Sequence, residues 1–129
     1  MSTHEASTSS VEIDDCLPFH GGEWGSQMEP NAMVSSVLLT GFGFIGRHVS
    51  MELMARGHRV SVLDRRPDIP LAITLGIQPV IGDVRDAALM RQLIPHYDRV
   101  VHLAGLLGTS ELVDDPSAAV DTNITGALN

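Results

Sequence analysis

Residues 37–64, VLLTGFGFIGRHVSMELMARGHRVSVLD, constrain the fold of this chain more than any other segment. A short apolar run, Val37-Leu38-Leu39, meets a Gly41-x-Gly43-x-x-Gly46 turn, and an amphipathic stretch then leads to a second apolar run ending at Asp64. The pattern is that of strand, glycine loop, helix and strand. Gly41 permits the tight strand-to-helix turn, Gly43 lets backbone N–H groups approach a pyrophosphate, and Gly46 lets the helix lie close to the sheet. An anion bound there sits at the helix N-terminus, where unpaired N–H groups and the helix dipole favour negative charge. Asp64 lies 23 residues beyond Gly41, near the ~20 at which a carboxylate accepts hydrogen bonds from a ribose diol.

Elements alternate along the remainder. The pattern predicts strands over residues 34–40, 59–64, 77–81 and 99–103, all largely apolar as expected of parallel strands covered on both faces. Predicted helices span residues 44–56, 69–75, 87–94 and 117–128, with a glycine-bearing loop over 106–115. In the first helix Ile45, Val49 and Leu53 recur at i, i+4, i+8 with Met54 beside them, which assigns them to the buried face. Gly57 supplies a left-handed C-terminal cap, Asp86 an N-cap, Pro95 a stop and Pro116 a first-turn residue. Alternation of this kind implies an α/β doubly wound parallel sheet with right-handed crossovers.

Composition excludes several classes. The chain has 129 residues, 43% hydrophobic and 19% charged, as in one soluble globular domain. Residues 1–33 carry six acids and neither Arg nor Lys; residues 34–129 carry ten acids and all eight arginines. No basic stripe serves nucleic acid or an anionic membrane surface, and no apolar run reaches the ~18 residues of a membrane span. The single Cys16 rules out an internal disulfide and fits a reducing, cytoplasmic setting. Segment 1–33 is expected to be a disordered acidic tail, with Trp24 solvated and Met33 the natural start. Cys16 and His20 lack a second ligand pair, so no metal site is expected.

Other candidates lie where strands end. Asp64 repels a ribose 2′-phosphate and favours NAD over NADP. Arg65 and Arg66 act the other way: either could clamp that phosphate or stack on adenine. Asp83, in Gly82-Asp83-Val84-Arg85-Asp86, is placed to accept a hydrogen bond from an adenine amino group, whereas Asp86 suits helix capping. Ala104 and Gly105 permit close passage of a cofactor, and His102 reads as a partly buried strand residue rather than a catalytic base. Thr109, Ser110 and Glu111 fall in the next loop. Asn123 lowers helix propensity and so points to a specific hydrogen bond.

Taken in order, TGFGFIG, the strand-end Asp64, GDVRD, VVHLAG and DTNITGALN resemble the N-terminal half of the extended short-chain dehydrogenase/reductase family, the NAD-dependent epimerase/dehydratases of nucleotide sugars. The resemblance implies a Rossmann-type fold, here four strands in the order 3-2-1-4. It implies that Gly41, Gly43, Phe44, Ile45 and Gly46 hold the pyrophosphate, Asp64 binds the adenosine ribose, and Asp83 and Val84 flank adenine. Leu103, Ala104 and Gly105 then line the path to the nicotinamide, and Asn123 matches a structural asparagine. The glycine loop is one residue shorter than the family's, and Ala104-Gly105 replaces its usual Ala-Ala. The family's Tyr-x-x-x-Lys pair has no counterpart, because the chain contains no lysine and the residue four beyond Tyr97 is Val101. A partial, catalytically silent cofactor-binding portion is therefore expected, its nucleotide-sugar substrate belonging to the full-length enzyme. An exposed fourth strand would invite association into a homodimer. The alternative is a stand-alone dinucleotide-binding or redox-sensing module; a hydroxyacid-type dehydrogenase fits the short loop but leaves GDVRD and VVHLAG unexplained.

Overall fold

The computed structural model describes residues 33–129; the expectations for Cys16, His20, Trp24 and the acidic tail fall on residues 1–32, outside the described residues. Four parallel strands, β1 (Ser36–Thr40), β2 (Arg59–Asp64), β3 (Gln78–Ile81) and β4 (Arg99–His102), form one sheet in the order β3-β2-β1-β4. This is the Rossmann-type order. The central strand β1 is buried at every residue, as continuous cover on both faces requires. Pro79 is tolerated in β3 because an edge strand has a side with no ladder to feed.

Helices cover both faces. α1 (Phe44–Ala55) and α2 (Ile69–Thr74) belong to one layer, where Val49, Leu53, Met54, Leu71 and Leu75 pack on a cluster of Leu39, Phe42, Val60, Val62, Ala72 and Ile77. α3 (Ala87–Leu93) contributes Met90 and Leu93 to a second cluster with Leu38, Leu63, Val80, Val84 and Tyr97. Alternate residues of the strands thus feed opposite layers. Each fully buried Leu or Val contributes about 1.5–3 kcal/mol relative to exposure. At the bottom of the sheet Asp98 ties β1 to β4: its carboxylate accepts from the Ser36 N–H at 2.7 Å and the Ser36 hydroxyl at 2.8 Å.

Two expectations need correction and a third needs refinement. Ile45 is 59% exposed; the residues of α1 that are buried are the small Gly46 and Ser50, and with that face turned inward Ile45 points outward. The expected loop over 106–115 contains a short helix, α4 (Thr109–Asp114). The last helix runs without a gap over the expected residues but widens in its middle: α5 (Pro116–Val120) passes through a π turn (Asp121–Thr125) into α6 (Gly126–Leu128). Thr122, Ile124 and Thr125 in that turn are β-branched, which weakens regular helix. No helix among the described residues is long and apolar enough to cross a membrane.

Candidate dinucleotide-binding site

The strands' C-terminal ends open into a cleft of about 520 Å³. Its floor is the glycine loop between β1 and α1. Gly41 has φ +89° and donates its N–H to the Leu63 carbonyl at 2.8 Å. A Cβ there would strike the Ala104 nitrogen at 2.8 Å. A Cβ at Gly46 would collide with the Gly41 carbonyl oxygen, which is the close helix approach expected of it. Gly43 differs. Its φ of −81° is open to any residue, and a Cβ would meet nothing within 4 Å. The missing side chain at Gly43 therefore leaves the cleft clear and does nothing for the fold.

How the helices begin matters more. α2, α3 and α5 each start under an aspartate: Asp68 accepts from the Leu71 N–H, Asp86 from Ala88 and Leu89, and Asp115 from Ser117 and Ala118. α1 starts at Gly43 with no side-chain cap and no acid in its first turn. Its first N–H groups face the cleft unneutralised, so an anion finds both donors and the positive end of a twelve-residue helix.

Asp64, at the end of β2, lines the same cleft. One carboxylate oxygen accepts from the Phe42 N–H at 2.7 Å and the other from the Arg66 N–H at 2.9 Å. Asp64 therefore braces the glycine loop from the neighbouring strand while retaining lone pairs for hydroxyl donors. Arg65 lines the cleft; Arg66 does not. At the end of β3, Asp83 pairs with Arg85 at 2.7 Å. The hydrogen bond from the Arg85 side chain holds the Asp83 carboxyl below the usual carboxylate range, against the opposing effect of burial. Val84 is buried and packs against Gly126, where a Cβ would come within 2.7 Å of it.

The far wall follows β4. Leu103, Ala104 and Gly105 line it, with Leu106 and Leu107 beyond. Asn123 holds the wall in place: its Oδ1 accepts from the Leu106 N–H at 2.8 Å and its Nδ2 donates to the Leu106 carbonyl at 3.0 Å. His102 is exposed rather than partly buried, because β4 is an edge strand, and its Nδ1 pairs with the buried Thr40 hydroxyl at 2.7 Å. Tyr97 belongs to the core at the opposite end of β4. The side chains of residues 109–111 lie outside the described residues. Among the described residues no group of three or more candidate ligands could hold a metal ion.

Of the residues singled out from sequence for cofactor contact, all but Arg66 border one cleft, five on the glycine loop and the others at the ends of β2, β3 and β4. Leu63, Gly82, Leu106, Leu107 and Thr122 also border it and were missed. Gly82 carried a signal, standing directly before Asp83; Thr122 carried none.

The family model described as the NAD dependent epimerase/dehydratase family matches residues 37–129. The chain belongs to the NAD-dependent epimerase/dehydratase family. Within it, a UDP-glucose 4-epimerase of Klebsiella pneumoniae is 36% identical over 103 residues, covering 71% of this chain and 74% of that sequence. UDP-glucuronate 4-epimerase 1 of Arabidopsis thaliana is 34% identical, covering 84% of this chain but 30% of its own length. The crystal structure of the Bordetella bronchiseptica enzyme WbmF in complex with NAD+ superposes with a TM-score of 0.66 at 26% identity, over 75% of this chain and 31% of that one. The chain thus spans under a third of the plant epimerase and of WbmF.

Proposed function

We propose that residues 34–129 form the NAD-binding portion of a nucleotide-sugar epimerase/dehydratase. The observation that carries this is the uncapped N-terminus of α1 above Gly43, beside a carboxylate one strand away. The diphosphate of NAD lies on the first N–H groups of α1, the adenosine ribose donates its hydroxyls to Asp64, and adenine sits between Asp83 and Val84. The nicotinamide runs toward Ala104 and Gly105. Bound NAD supplies hydride acceptance and return; the residues described here bind, orient and exclude water. In the full-length enzyme a UDP-sugar is the substrate, in line with the activities named for the Klebsiella and Arabidopsis relatives. Alone, a chain with no lysine lacks the Tyr-x-x-x-Lys pair and turns over no sugar. A cytoplasmic location fits its composition.

A stand-alone dinucleotide-binding or redox-sensing module is the second reading, supported by the gathering of the adenosine-contact candidates in one cleft. The test of dinucleotide binding is the thermal unfolding of the full chain with and without cofactor. NAD at about 100 times its Kd stabilises by about 2.7 kcal/mol, a clear rise in Tm, and NADP at the same concentration gives a smaller rise because Asp64 repels its 2′-phosphate. No shift with NAD overturns the proposal, and a larger shift with NADP reverses the cofactor assignment.

A further inference from the structure

We propose that Arg85 sets the base specificity of the cleft: it fixes the Asp83 carboxylate as an acceptor for the exocyclic amino group of adenine, against purines bearing a carbonyl at that position. The proposal rests on the dinucleotide reading above and adds a positioning residue to it.

Arg85 engages Asp83 more fully than any other ion pair described. Its backbone N–H donates to Oδ1 at 2.9 Å, its Nε reaches Oδ1 at 3.1 Å and Oδ2 at 3.0 Å, and a terminal nitrogen reaches Oδ2 at 2.7 Å. A carboxylate offers about four acceptor positions, so these donors occupy most of them and leave little freedom of rotation. Asp83 nevertheless lines the cleft and keeps 26% of its side chain accessible, leaving room for one more donor. Arg85 itself is 37% accessible, and a pair this exposed adds little to stability. Its consequence is direction.

The loop does not depend on that pair for its shape. Asn129 Nδ2 donates to the carbonyls of Val84 at 3.0 Å and Arg85 at 3.1 Å, and the Asp86 N–H donates to the Asp83 carbonyl at 3.0 Å. Changing the Arg85 side chain leaves the carboxylate only the backbone N–H on Oδ1, so its Oδ2 side loses its fixed direction while the backbone stays held. A base presenting an amino group then loses a fixed acceptor; a base presenting a carbonyl meets one acceptor with another and gains from the release.

The experiment compares binding of NAD and of nicotinamide hypoxanthine dinucleotide to the full chain by calorimetry. The wild type is expected to prefer NAD by about tenfold, the scale of one hydrogen bond to a charged group. Arg85→Gln, with an unchanged circular dichroism spectrum, lowers that preference below about threefold, and Arg85→Lys, which keeps the charge but not the fork, lowers it too. In an Asp83→Asn background, Arg85→Gln changes the ratio no further. An unchanged ratio in Arg85→Gln, or the same drop with Asp83 already replaced, overturns the role of Arg85 alone. Failure of the wild type to bind either dinucleotide overturns the function proposed above, and this role with it.

Discussion

Gly43 and Gly46 stand three residues apart in one motif, yet they are glycines for different reasons. At Gly46 a methyl group would meet the Gly41 carbonyl, so Gly46→Ala is expected to cost about 1–3 kcal/mol, the usual range for overpacking, read as a lower Tm. At Gly43 the space is open. Gly43→Ala should leave Tm within about 2 °C yet weaken NAD binding by about tenfold or more, because the added methyl stands where the diphosphate approaches. Equal loss of stability at both positions would mean that Gly43 serves packing after all. Ser50 offers a converse case: its buried hydroxyl has no hydrogen-bond partner among the described residues, on the helix face pressed to the sheet. Ser50→Ala removes a desolvated group and improves helix propensity, so a gain of about 0.5–1 kcal/mol is expected, a few degrees in Tm; a loss would show that the hydroxyl is satisfied.

At the scale of elements, strand ends and helix caps carry the pH response. Asp83 is held below the ordinary carboxylate range chiefly by the side-chain hydrogen bond from Arg85, Asp98 by the Ser36 backbone N–H, and Asp115 by the Ser117 hydroxyl. A carboxylate whose pKa is depressed on folding adds stability above its unfolded pKa and loses it as pH falls through the folded value. Tm should therefore be level near neutrality and fall below about pH 4, with Asp98→Asn flattening part of the fall; a Tm unchanged down to pH 3 would contradict this. The elements themselves were mostly legible. Apolar runs and punctuating glycines located β1 to β4, and Asp86 and Gly57 marked helix ends where they stand, with Gly57 at φ +85°. What sequence could not show depends on contacts across space. Ile45 falls on the apolar stripe of α1, and only the position of the sheet shows that Gly46 and Ser50 meet it instead. The Asp64 bond to Phe42, 22 residues away, and the Asn123 clasp on Leu106, 17 away, are likewise tertiary. The composition of DTNIT weakens regular helix without announcing a π turn.

On the scale of the whole molecule, the cleft exists because three strand ends and one helix start converge at the point where strand order reverses, β1 lying between β2 and β4. The same topology leaves β4 paired only to β1 among the described residues, with Val100 42% and Leu103 39% exposed. An apolar edge strand templates further pairing, so light scattering on the chain should give a molar mass that rises with concentration, reduced by Val100→Lys; a monomer at every concentration would show the edge to be protected. The claim on which the function depends is narrower and lies at the α1 N-terminus. The measurement that reaches it most directly is a titration of the isotopically labelled chain with NAD, followed through the backbone amide resonances of Phe44, Ile45 and Gly46. These amides are expected to show the largest shifts, saturating with NAD; if they keep their free positions at high NAD concentration, the diphosphate does not sit where the uncapped helix would place it.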